Sequence, residues 1–138
     1  MGLPPLLRVP VSPDRHDLLQ RYVRLAVGKA GLSVLLGTDT AVATEIAARM
    51  FDRSPDTLVA GDIDDAMGEL ANMLAGKVCE SQLEMSDVGL PEHWTTSSIE
   101  RLWRNTSVVA EAWCVSDQHL IYLAVLQDRG PDRPSEEI

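Results

Sequence analysis

The chain has 138 residues, a length that suits one compact domain with a real core and argues against a second domain within it. Apolar residues make up 45% and aromatics only 4%, so that core has to be built mainly from Leu, Val, Ile, Ala and Met. The formal net charge is −9, Lys29 and Lys77 are the only lysines, and no basic stripe exists. This argues against nucleic acid or an anionic membrane as partner and leaves a basic protein surface open.

Residues 1–14 hold four prolines and read as a flexible N-terminal segment. At most a short edge strand is expected at Leu6–Val11, because Pro10 lacks the N–H that an inner strand requires. No apolar run there suits a signal peptide or a membrane span, and Leu6 stands where a myristoylation signal needs Ser or Thr. The expected location is cytoplasmic. The main domain is expected over 15–127, and a charged, disordered tail over 128–138.

Tyr22–Val27 alternates, Gly28-Lys-Ala-Gly31 supplies turn residues, and Leu32–Leu36 follows as a second strand, which together predict a hairpin. Asp39 or Thr40 then caps a helix running to about Phe51, with Ala43, Ile46, Ala47 and Met50 at helical spacing. Ser54-Pro55-Asp56 ends it.

Gly61–Lys77, GDIDDAMGELANMLAGK, is the next helix and extends to about Met85. Asp62 is expected as its N-cap, with Asp65 in the reciprocal position, and Asp62, Asp64 and Asp65 oppose the positive end of the helix dipole. Ile63, Met67, Leu70, Leu74 and Val78 form an apolar stripe flanked by Ala66 and Met73. Asp65, Glu69, Asn72 and Gly76 lie opposite, with Gly68 at the margin. Glu69 and Asn72, at i and i+3, share the outward face. On spacing alone this fits a merely solvated polar face as well as a working site. Gly68 and Gly76 each cost about 1 kcal/mol against Ala. Close approach of another backbone would explain that, and so would local tolerance of glycine.

Ser86–Ser98, with Pro91, His93 and Trp94, reads as a loop. Val108–Val115 and Leu120–Leu126 flank Ser116-Asp-Gln-His119 as a second hairpin. Its strands are apolar at nearly every residue except Glu111, which implies burial on both faces or an oligomer surface. Cys79 and Cys114 lack metal-ligand spacing and are expected as buried thiols in a reducing compartment. His93 and His119 have no evident partner in the sequence. The expected fold class is α+β, an antiparallel sheet with two main helices packed on one face.

The run Asp65–Gly76, DAMGELANMLAG, resembles the signature helix of the CheX/CheC/FliY group, bacterial phosphatases that dephosphorylate CheY-type response regulators in chemotaxis. The preceding order is similar too: a strand, a helix ending in Ala-Ala-Arg-Met-Phe51, then an acidic linker. Outside the signature helix the likeness rests on pattern, over roughly residues 20–126. CheC-like members carry two copies of the motif and CheX-like members one. Here Glu45 is followed three positions on by Ala48 and Glu100 by Trp103, so the chain is closer to CheX. CheX-like proteins usually begin with a longer amphipathic helix, for which His16–Tyr22 is the only remnant.

The resemblance implies hydrolysis of an aspartyl phosphate on a CheY-like regulator. In it Asn72 would orient the attacking water and Glu69 would anchor the regulator, while Asp65, Gly68 and Gly76 would belong to the partner-binding surface. It further implies no cofactor or metal bound by this chain, Mg²⁺ on the response regulator, and a homodimer formed through the sheets. The alternatives are a non-catalytic CheX-like module or flagellar-switch component that docks a regulator, and a purely structural dimer domain.

Overall fold

The computed structural model describes residues 7–8, 18–28, 31–80, 88–116 and 119–129, beginning with a two-residue strand, β1 (Leu7–Arg8). The first alternating stretch becomes β2 (Arg21–Val27) and returns as β3 (Leu32–Thr38). Gly28 and Gly31 flank that turn at φ 69° and 79°, a backbone region in which a side chain is strained. Helix α1 (Thr40–Phe51) starts where the Asp39 carboxylate accepts the Val42 N–H at 2.8 Å, and it stops at Asp52 in the left-handed conformation. A short 3-10 turn, Pro55–Thr57, leads into the long helix α2 (Ala60–Glu80). Strand β4 (Glu92–Thr95), the short helix α3 (Ile99–Asn105) and the hairpin of β5 (Thr106–Ser116) with β6 (His119–Asp128) complete the chain order.

The strands form one sheet in the order β1-β5-β6-β3-β2-β4, with every neighbouring pair antiparallel. The α+β class therefore holds, and the two main helices share one face. There Val23, Leu25 and Leu36 of the sheet pack against Ala43 and Ala47 of α1 and Ile63, Ala66, Met67 and Ala71 of α2. The small side chains on the helices bring them close to the sheet. The other face is larger in its side chains: Tyr22, Leu35, Trp113 and Tyr122 pack against Ile99 and Leu102 of α3, with Trp103 alongside. The Tyr122 ring lies 4.4 Å from Trp113, and its hydroxyl donates to Glu111 at 2.6 Å. Glu111, the polar exception in an apolar strand, thus satisfies a phenol that the core otherwise surrounds.

The structure corrects several expectations. The stretch read as a loop contains β4, which pairs with the outer edge of β2, and α3 was not foreseen at all. Helices consequently cover both faces of the sheet. Met73, expected to flank the apolar stripe of α2, and Met50, expected among the apolar positions of α1, are exposed, as are Val108 and Val109 beside the bulge in β5, so that strand is not buried on both sides. Cys114 is half-buried rather than buried. Arg21 and Tyr22 begin β2, which leaves no helical remnant at that point, and Asp128 ends β6 instead of opening a tail. The rest of the expected N-terminal segment, the extension of α2 toward Met85, the Cys79 side chain and the tail over 130–138 lie outside the described residues. Among the described residues no helix is long and apolar enough to cross a membrane.

Candidate functional site on helix α2

The first turn of α2 is fixed by its own chemistry. Val59 is the residue preceding the helix, and the Asp62 carboxylate reaches back to accept its N–H at 3.1 Å, while Arg53 Nη1 stands 3.3 Å from the same oxygen. Asp62 therefore occupies the third helical position and supplies the back-reaching half of a capping box, Val59 having no side-chain acceptor for the other half, and the expected assignment of Asp62 as N-cap with Asp65 reciprocal is shifted by one turn. Two residues on, Asp64 accepts from Arg21 Nη1 of β2 at 2.8 Å, and His93 Nδ1 of β4 lies 3.9 Å away. Deeper along the helix, Gly68 is buried, and a Cβ there would stand 3.2 Å from Pro91 Cγ. Its lack of a side chain lets the segment before β4 lie directly on α2. The close approach that Gly68 serves is thus within the chain, not across an interface.

Ile63, Ala66, Met67, Ala71 and Ala75 form the buried stripe, and Leu70 and Leu74 are only half-buried. The stripe is rotated toward the alanines relative to the expected Leu-centred one, because those small residues face the sheet. On the opposite side Asp65, Glu69, Asn72 and Gly76 are all exposed, together with Met73 at 57%. The structure thus brings Glu69 and Asn72 to solvent on one face, one turn apart. Space around Gly76 is open, with nothing within 4 Å of where a Cβ would stand.

The electrostatic contrast along this helix is sharp. Asp62 and Asp64 are held by Arg53 and Arg21. Among the described residues, no hydrogen bond or ion pair engages the Glu69 carboxylate or the Asn72 amide. A free carboxylate attracts a cation, and a neutral amide offers a carbonyl acceptor without adding charge. Among the described residues no group of three or more His, Cys, Asp or Glu is placed to hold a metal ion. A cavity of about 300 Å³ opens at the foot of α2 between Arg21, Asp64, Met67 and His93, and neither Glu69 nor Asn72 lines it. Sequence reading did not single out Arg21 or Leu90 and placed Pro91 only in a loop; their relation to α2 arises from tertiary packing.

A family model described as chemotaxis phosphatase CheX matches residues 25–110. Two solved structures are similar in fold. The CheX chemotaxis protein from Vibrio vulnificus is 18% identical with a TM-score of 0.61, the match covering 87% of this chain and 82% of that one. The CheX–CheY–BeF3–Mg²⁺ complex from Borrelia burgdorferi is 15% identical with a TM-score of 0.55, covering 81% and 76%. Among curated proteins none matches the chain.

Proposed function

The chain belongs to the CheX family of chemotaxis phosphatases, and from that premise we propose that it hydrolyses the aspartyl phosphate of a CheY-type response regulator, with Asn72 orienting the attacking water and Glu69 anchoring the regulator. The observation that carries this reading is the exposure of Glu69 and Asn72, one turn apart and without a partner among the described residues, on a helix whose Asp62 and Asp64 are tied to other parts of the chain.

An acyl phosphate is intrinsically reactive, so the catalyst needs no nucleophile of its own. It has to place one water in line with the bond between phosphorus and the aspartyl oxygen. The Asn72 carbonyl accepts a hydrogen bond from that water and fixes its direction, and the neutral amide adds no repulsion beside the phosphoryl group. Water oxygen bonds to phosphorus, the bond to the aspartyl oxygen breaks, and the products are inorganic phosphate and a free aspartate. The Glu69 carboxylate pairs with a lysine beside the phosphorylated aspartate and sets the depth to which Asn72 enters. Asp65, also exposed, extends the acidic footprint, and the open space at Gly76 leaves room for the regulator's loops. Mg²⁺ belongs to the regulator in this reading, which the composition of the Borrelia complex supports. The same reading has the protein act in the cytoplasm as a homodimer joined through its sheets.

The test is phosphate release from CheY-type regulators loaded with acetyl phosphate and Mg²⁺, with and without the protein. Acceleration over the regulator's own hydrolysis is expected for at least one regulator encoded beside this gene. Binding without acceleration, abolished in Glu69→Ala, would instead make the protein a docking module. Neither binding nor acceleration with any regulator would leave the reading without support.

A further inference from the structure

We infer that Leu90 and Met73 form an apolar collar on either side of Glu69 and Asn72, and that it seats against the phosphorylated receiver domain and determines which regulators are accepted. This inference rests on the phosphatase reading. Its starting point is the course of the segment before β4. Pro91 lies on Gly68, and Val88 bridges to Val27, whose cluster also holds Ala75, while packing on the neighbouring cluster that holds Ala71 as well. Three residues of extended chain and seven residues of helix both span about 10 Å. The segment therefore runs antiparallel alongside α2, from the level of Ala75 back to that of Gly68. Gly89 N–H donating to Ala26 carbonyl at 2.8 Å holds it to the edge of β2. Leu90 falls between the two fixed points, level with the turn that carries Asn72, and it is 85% exposed.

Met73 stands on the other flank. Gly68 marks the side of α2 that faces β4, and Asn72, about 40° further round the helix, is the outward residue nearest that side. Met73 is a further 100° round, away from β4, and 57% exposed. The pair is thus bracketed by two large apolar side chains.

A single exposed Leu or Met on a surface is ordinary. Two of them, one on each flank of a carboxylate and an amide that have no partner among the described residues, fit a partner that covers all four. The exposed carboxylates Asp65 and Glu69 make the partner's facing surface a basic one, as the lysine-bearing surround of a receiver active site would be. Once covered, Leu90 and Met73 shut bulk water out of the contact. That strengthens the Glu69 ion pair and so holds the regulator more tightly. The flexible thioether of Met73 adapts to different receiver surfaces, whereas branched Leu90, backed by Pro91, discriminates among them.

The experiment measures binding and turnover on the same variants. Binding is titrated with a CheY-type receiver domain carrying BeF3⁻ and Mg²⁺, and turnover is followed with acetyl phosphate as phosphodonor. Leu90→Ser is expected to weaken binding and raise KM about tenfold, with kcat within twofold of wild type. Met73→Ser is expected to do the same to about threefold, and Leu90→Met to restore most of the affinity. Circular dichroism checks that each variant is folded, which the exposure of both residues favours. Unchanged binding and KM in both Ser variants, with wild type active, overturn the collar alone, as does a loss confined to kcat. A wild-type protein that neither binds nor accelerates overturns the functional reading and the collar with it.

Discussion

The first turn of α2 and the turn that follows Gly68 are made of the same kinds of residue and do opposite things with them. At the start of the helix, Asp62 in the first turn and Asp64 just beyond it direct their charge to the chain's own groups, the Val59 N–H and Arg53 and Arg21 of β2. One turn beyond Asp65, Glu69 and Asn72 face solvent with no partner among the described residues. A helix that merely covers a sheet also leaves outward polar groups in solvent. In a helix that must present two side chains at a fixed height to another protein, the internal ties hold it still, and the free groups do the work. The two glycines divide in the same way. Gly68 is closed by Pro91 of its own chain, and Gly76 opens on empty space.

That contrast can be broken experimentally from either end. Beyond Asn72 itself, the largest effect is expected at the free end. Glu69→Ala should weaken binding of a BeF3⁻-loaded regulator about tenfold while changing the protein's own stability by less than about 0.5 kcal/mol. Titration calorimetry and urea unfolding read the two quantities separately. At the tied end the pattern reverses. Asp62→Ala removes the capping contact and should cost about 1 kcal/mol in urea unfolding, with kcat for bound regulator unchanged within twofold.

Tyr122 gives a comparable effect far from the site. Burial first, then the hydrogen bond to Glu111, pushes its phenol well above the ordinary 10.0. Above that pH the unfolded chain releases the proton and the folded chain keeps it, so this contribution is complete below pH 10 and is lost as the pH rises. Tyr122→Phe should lower stability by about 1 kcal/mol at neutral pH and show a shallower loss on alkaline unfolding. The smallest expected effect is a gain. Gly76→Ala, with room for the added methyl, should raise stability by about 0.5–1 kcal/mol, and any loss of regulator binding would mark that space as part of the contact.

Most of the framework was legible because it follows from periodicity and capping. The β2–β3 hairpin, α1 with Asp39 as its cap, α2 and the β5–β6 hairpin all appear where alternation or helical spacing places them. What escaped lacks such a signal. Strand β4 is four residues long and largely exposed, and it exists because β2 offers an edge and Arg24 draws Glu92 to 3.0 Å. Helix α3 is a seven-residue helix with Ile99, Leu102 and Trp103 at helical spacing, too brief for periodicity to stand out. The capping register of α2 was misread because several aspartates compete for it, and only Val59 N–H decides which one is used. At the site, the shared face of Glu69 and Asn72 was readable from their spacing. The covering of Gly68 by Pro91 depends on a strand the sequence does not announce.

The measurement that bears most directly on the account is single-turnover phosphate release from a CheY-type regulator, with Asn72→Ala set beside the wild-type protein. The account predicts a rate about 100-fold below wild type, at or near the regulator's own hydrolysis, with binding of the BeF3⁻ form kept within about threefold. An Asn72→Ala protein that releases phosphate at the wild-type rate would contradict it.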